Sequence, residues 1–383
     1  MALESLVNSE DFPAKEKWCY LNAASAALTY SRTAERIIEW QKDLAENGTL
    51  NFDEKAEEDV FDGLRRAAAE LFGAQPSDIA AGSSATELLS SLAWALLPPK
   101  GSVIIGTDAA HPSTVYPWQR VARHAQCEFR MARSNGRGYV DPEELSAMIN
   151  ERTSTVVVSH VEYRNGQTYD LKHLAGRAHH YGAHLVVDAT QSAGQVPIDV
   201  KDTGVDAIVS SAYKWLCGPF GVAVMYLAPS FQSKLDPGLV GWRSHRNMWE
   251  FRADRLEYPD TARRFEASTM AYGCALGLAE AIQYLNRIGV GRILAHNRHL
   301  ADLLSNALQG KGATVISPER ERERSSILTV DFPGRDTEGI ARQLNARSIV
   351  VSYRMGAIRI SPHLYNDEGD IEEMIDAVNG ILG

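Results

Sequence analysis

The chain has 383 residues, with 39 Lys and Arg against 49 Asp and Glu, a formal charge of −10 and a pI of about 5.6. That acidic balance excludes a nucleic-acid surface or an anionic membrane as the default partner. With 44% hydrophobic and 23% charged residues, the composition also excludes a disordered chain, a collagen-like repeat and a small disulfide scaffold.

The length gives room for roughly two to three domains. The opening MALESLVNSEDFPAKEKW mixes acids and bases and has no apolar signal-peptide core, so a cytoplasmic protein is expected. Residues 33–47 carry Ile37, Ile38, Trp40 and Leu44 at helical spacing, with Gly48 as a stop. A second helix is expected over 52–72, with Val60, Leu64, Ala68 and Leu71 on one side.

From residue 102 the pattern turns to short apolar runs: SVIIGT (102–107), CEFRMA (127–132), STVVVSH (154–160), HLVVDAT (184–190), DAIVSSA (206–212) and GVAVMYL (221–227). Helical segments such as LKHLAGRAHHY (171–181) separate several of them, which makes βαβ units. Near-continuous Val and Ile runs suit strands buried on both faces. The expected fold is α/β, a mostly parallel sheet sandwiched by helices, with ligands beyond the carboxyl ends of the strands. The uncharged window 215–233 is broken by Gly218-Pro219, Gly221 and Pro229, so it reads as a turn and a buried strand rather than a membrane span.

A long helical pattern runs from Glu266 to Leu308. Then come SSILTVDF (325–332), TEGIARQLNAR (337–347), IVVSYR (349–354), AIRISP (357–362) and a terminal helix DIEEMIDAVNGIL (370–382), together a smaller C-terminal α+β domain. The alternating acids and bases of 319–324 read as a solvated loop. Cys19, Cys127, Cys217 and Cys274 lack CxxC spacing and read as buried thiols. His179, His180 and His184 straddle a helix end and a strand start, so no metal site is expected.

Lys214 lies between two aromatics, after an apolar strand and before a Gly-Pro turn. An ammonium buried at a strand end has its pKa pushed down, and a neutral amine there can form a Schiff base with a carbonyl cofactor. Asp188 ends HLVVD, where a carboxylate needs a cation such as a protonated pyridine nitrogen. Gln191, three residues on, could reach a ring hydroxyl. Ala81–Glu87 places small residues and Thr86 at a helix start, which favours an anion. His111 follows SVIIGT, where its imidazole could cover a flat ring.

In order and spacing these residues resemble the fold-type I pyridoxal phosphate (PLP) enzymes of the class-V aminotransferase group, which includes cysteine desulfurases and isopenicillin N epimerase-like proteins. The resemblance runs from Tyr20 to Ser361. VDATQSAGQVPIDV (187–200) and SSAYKWLCGPFG (210–221) carry it most specifically, with SATE (84–87), HPSTVYPW (111–118), RFEAST (264–269) and IRISPHLYN (358–366) in support. It implies an N-terminal segment (1–18), a large PLP-binding domain (19–275) and a small domain (276–383). It implies that Lys214 tethers PLP and moves protons, that Asp188 pairs with the pyridinium and that His111 stacks on the ring. Gln191 would contact the ring hydroxyl, and Ala85, Thr86, Ser211 and Tyr213 would bind the phosphate. Thr269 would reach the phosphate site of a neighbouring subunit in a homodimer. Arg359 would clamp the α-carboxylate of an amino-acid substrate near Asn22.

Two departures stand out. Tyr213 replaces the His that many relatives carry before the lysine. The stretch 350–361 lacks the persulfide-forming Cys of cysteine desulfurases, and no Cys follows Cys274. The expected activity is a β-eliminating C–S lyase on a cysteine derivative or S-conjugate; an aminotransferase or epimerase for a specialised amino acid is the alternative. The loop 162–165 matches no family motif; the Tyr163 region and Gly241-Trp242-Arg243-Ser244 are expected to shape the substrate pocket, with plain structural loops as the alternative.

Overall fold

The computed structural model describes residues 4–383. Extended structure opens with a two-residue strand, β1 (Cys19–Tyr20). Seven strands follow: β2 (Ile79–Gly82), β3 (Val103–Thr107), β4 (Glu128–Ala132), β5 (Thr153–Ser159), β6 (His184–Asp188), β7 (Ala207–Ser211) and β8 (Ala223–Leu227). The C-terminal part adds β9 (Thr314–Val315), β10 (Leu328–Asp331), β11 (Ile349–Val350), β12 (Ser352–Arg354) and β13 (Ala357–Ile360).

The seven strands form one sheet in the order β2-β8-β7-β6-β5-β3-β4. All neighbours are parallel except β8, which runs antiparallel to both β7 and β2. The centre is buried on both faces because strand side chains alternate sides. Val156, Val158, Leu185, Val187 and Ile208 face a core shared with helices Asp62–Phe72, Leu171–His180 and Tyr272–Ile288. Val157, Val186, Ala207 and Val209 face a second core with helices Ala85–Leu96 and Pro112–Ala125. Each such Val, Leu or Ile contributes about 1.5–3 kcal/mol on burial. The mostly parallel sheet between helices is the α/β architecture expected from the sequence.

The second sheet has the order β12-β13-β10-β9, and β1 pairs in parallel with β11 beside it. Cys19 and Leu21 lie in the core of this C-terminal part, with Leu300, Leu304, Ile358 and Ile360.

Several expected elements differ in detail. The segment 52–72 is two helices, Glu54–Asp59 and Asp62–Phe72, because buried Val60 and Phe61 interrupt it. The pattern from Glu266 to Leu308 is also two helices, Tyr272–Ile288 and Val290–Gln309, broken at Gly289 with φ of 90°. Its leading residue does other work: the Glu266 carboxylate meets Arg65 at 2.9 Å, both nearly fully buried, and accepts from the Ala81 N–H, tying RFEAST to β2. The 319–324 run is not wholly solvated, since Glu323 is buried and accepts from Tyr139 Oη at 2.9 Å. Cys127 and Cys274 are only half-buried, unlike Cys19 and Cys217. His179 and His184 both face the Asp206 carboxylate, at 2.9 and 3.8 Å. No described helix is long and apolar enough to cross a membrane.

One glycine fixes the approach to the site. Gly194 has φ of 94°, and a Cβ there would lie 2.2 Å from the Trp215 carbonyl oxygen. Gly194→Ala must push away the backbone next to Lys214. We expect it to lower stability by about 2–3 kcal/mol, read as a fall in the urea midpoint; an unchanged midpoint would contradict this packing.

Candidate active site

The carboxyl ends of β5, β6 and β7 and the start of helix Ala85–Leu96 converge on one cleft. Lys214 enters it from the turn after β7. Cys217, in a left-handed conformation with φ of 52°, donates its N–H to the Lys214 carbonyl at 2.8 Å, and Gly218 N–H closes the turn on Ala212 O at 3.1 Å. The tight turn presents the lysine at the strand end. Burial pulls its pKa from 10.5 down to about 8; the nearby Asp188 charge opposes this, and Arg359 and Arg354 reinforce it. Tyr213 lines the cleft and stacks on Phe220, ring centroids 4.4 Å apart.

Asp188 ends β6 between Ser159 of β5 and Val209 of β7. Its carboxylate accepts from Thr114 Oγ1 at 2.6 Å and from the Thr190 N–H at 2.9 Å. Thr190 in turn accepts from the Ser211 N–H at 3.2 Å. Gln191 lines the cleft with its amide largely committed: Nε2 donates to Ala24 O at 2.9 Å and Oε1 accepts from Trp215 Nε1 at 2.8 Å. That leaves one amide hydrogen for a ligand.

His111 caps helix Pro112–Ala125, its Nδ1 accepting from the Ser113 N–H at 3.2 Å. Its ring stands edge-on to Tyr163 at 5.4 Å, and burial followed by the Lys214 charge lowers its pKa. Ala85 and Thr86 open their helix after the cap Ser84, whose Oγ accepts from the Glu87 N–H. First-turn N–H groups lack intrahelical partners and carry the positive end of the dipole, so this wall suits an anion.

Asn22 and Arg359 come from the C-terminal side. Asn22 bridges to Ser361, and its buried Oδ1 has no partner. Arg359 on β13 is 2% exposed. Its Nη1 donates to Tyr163 O at 2.7 Å and its Nη2 to Ser25 Oγ at 2.6 Å, while Nε has no partner. Burial, then the Arg354 charge, lowers its pKa to about 10. Among the described residues no carboxylate pairs with it.

The structure thus brings Ala85, Thr86, His111, Asp188, Gln191, Ser211, Tyr213 and Lys214 into one cleft, with Arg359 reaching it through Tyr163. Thr269 is exposed and is not on the cleft wall. Tyr163 lines the cleft, as expected of its loop; Thr114 and Thr190 were missed in the sequence. Both adjoin expected residues, but only the folded register turns them toward Asp188.

A family model described as aminotransferase class-V matches residues 19–374. An uncharacterized aminotransferase of Bacillus subtilis is 28% identical over 96% of this chain and 95% of its own. The apo structure of a cysteine desulfurase from Thermococcus onnurineus NA1 superposes with a TM-score of 0.88, at 25% identity, over 98% of this chain and 97% of that one. A cystine C–S lyase in complex with its product, cysteine persulfide, has the same fold: TM-score 0.86 at 22% identity, covering 96% and 98% of the two chains.

Proposed function

The chain belongs to the class-V aminotransferase family and is a pyridoxal-phosphate-dependent enzyme, and within that family we propose that it is a β-eliminating C–S lyase acting on an L-cysteine derivative or S-conjugate. The donor set fits the cofactor. A lysine that is neutral above pH about 8, a carboxylate held by two donors and an anion-suited helix start share one cleft. Bound there, the cofactor supplies an aldehyde that condenses with amines and a ring that accepts an electron pair.

Lys214 Nζ would tether the cofactor through its aldehyde and would serve as the base that takes the Cα proton. Asp188, fixed by Thr114 and Thr190, would pair with the ring nitrogen. Ala85, Thr86, Ser211 and Tyr213 would hold the phosphate, Gln191 would give its remaining N–H to the ring oxygen, and His111 would cover the ring. Arg359 holds the α-carboxylate beside Asn22. As the Cα–H bond breaks, the proton passes to Lys214 and the Cβ–S bond breaks with its electron pair leaving on sulfur. The remaining three-carbon enamine hydrolyses to pyruvate and ammonia. Thr269, exposed in one chain, would complete the site of a second subunit in a homodimer.

The observation that carries the lyase reading is that, among the described residues, no cysteine lines this cleft. Elimination of a thiolate needs no protein thiol, whereas a persulfide relay does. Buried Cys217, three residues after Lys214, has its thiol pushed well above its ordinary pKa, which makes it a poor nucleophile. Incubation with S-ethyl-L-cysteine is expected to release ethanethiol and pyruvate in equal amounts. A keto acid retaining the thioether, with the cofactor left in its amine form, would replace this reading with transamination; recovery of the D-isomer would replace it with epimerisation.

The Lys214 pKa sets a second expectation. Below about pH 8 the amine is protonated and cannot add to an aldehyde, so cofactor capture by the apoenzyme should accelerate as pH rises and level off above about 8. Stopped-flow reconstitution across pH checks this. A rate still climbing tenfold per unit past about pH 9, as for an ordinary lysine, would contradict it.

A further inference from the structure

We propose that the substrate carries a second anionic group at the end of its side chain, received by Arg354; this rests on the lyase reading for the reaction but not for the charge. The register of the β12–β13 hairpin is the starting point. Ser352 pairs with Arg359, Tyr353 with Ile358 and Arg354 with Ala357. Directly opposed residues share a face, as do residues two apart on one strand. Ser352, Arg354, Ala357 and Arg359 therefore lie on one face, and Tyr353, Ile358 and Ile360 lie on the other, against the C-terminal core. Arg354 is the diagonal neighbour of Arg359, about 7–8 Å away along the hairpin.

The hairpin turn is tight. Its two-residue turn, Met355-Gly356, has φ of 49° and 89°, both positive as a type I′ turn requires. Its tip stands at the mouth of the cleft: Tyr163, which lines the cleft, points its hydroxyl at Met355 Sδ, 3.9 Å away. The Arg354 charge is felt at both Lys214 and Arg359.

Two guanidinium groups thus share a face, and neither has a carboxylate partner among the described residues. Arg359 is buried and is reserved for the α-carboxylate. Arg354 is exposed, and its guanidinium makes no hydrogen bond or ion pair among the described residues. Adjacent like charges repel, and a ligand with two anions answers both. The substrate class is an L-amino acid with an acidic side-chain terminus, such as an S-carboxyalkyl cysteine.

S-carboxymethyl-L-cysteine and its neutral isostere S-carbamoylmethyl-L-cysteine separate charge from size. Titration of the holoenzyme, followed by the cofactor absorbance, should show the acid binding about tenfold more tightly. Arg354→Gln should abolish that preference and leave the neutral conjugate unaffected, while Arg354→Lys keeps most of it. Equal affinity in the natural protein, a preference that survives Arg354→Gln, or a loss shared by both conjugates would overturn the assignment. Thiol release measured in the same samples keeps the two readings apart. Release without an acid preference sinks only this inference, and an acid preference without release sinks only the lyase reading.

Discussion

Lys214→Ala is expected to lower kcat by at least about 10⁴-fold with every substrate, because it removes the proton-transfer group and the covalent tether together. The fold should tolerate the change. The amine is a cation whose burial already disfavours its charged form, so alanine removes a desolvation cost rather than a supporting contact. The urea midpoint should therefore hold or rise while turnover disappears. Added methylamine should restore part of the activity, since the missing function is a free amine. Retention of more than about a tenth of the activity would mean that another group takes the proton.

Arg359→Gln should lower kcat/KM by about 10²–10³-fold, mostly through KM. In the natural protein the α-carboxylate would meet a guanidinium that is 2% exposed and has no anionic partner among the described residues. Without it the carboxylate must be buried unpaired, a penalty of about 3–5 kcal/mol. Arg359→Lys should recover only part, because a point charge cannot reproduce the planar fork. Amines without the α-carboxylate provide the control, since their slow reaction should be nearly indifferent to the substitution. An equal loss for amino acids and simple amines would show that Arg359 acts through the hydrogen bonds to Tyr163 and Ser25, which shape the cleft, and not through the substrate.

Much of the large sheet was legible because β5, β6 and β7 are runs of Val, Ile and Leu, and a strand buried on both faces needs little else. β2 was not, since IAAG is short and lacks the β-branched bulk that marks a strand; its place is set by pairing with β8 and by Glu266. Asp188 stood out because a carboxylate ending an apolar strand is costly without partners. Thr114, the strongest of those partners, lies 74 residues away and has no local signature. Tyr163 was expected near the pocket, but its contact with Arg359 was not legible, for a similar reason. Its role rests on a carbonyl that accepts from Arg359, and a backbone acceptor has no residue type to read. Arg354 has no local signature in the sequence; only the hairpin register puts it on the face of Arg359.

The most direct measurement is borohydride reduction of the holoenzyme followed by mass mapping of its peptides. The account predicts one pyridoxyl adduct, on the peptide containing Lys214, and loss of the visible chromophore. An adduct on any other lysine, or a chromophore that survives reduction unattached, would contradict it.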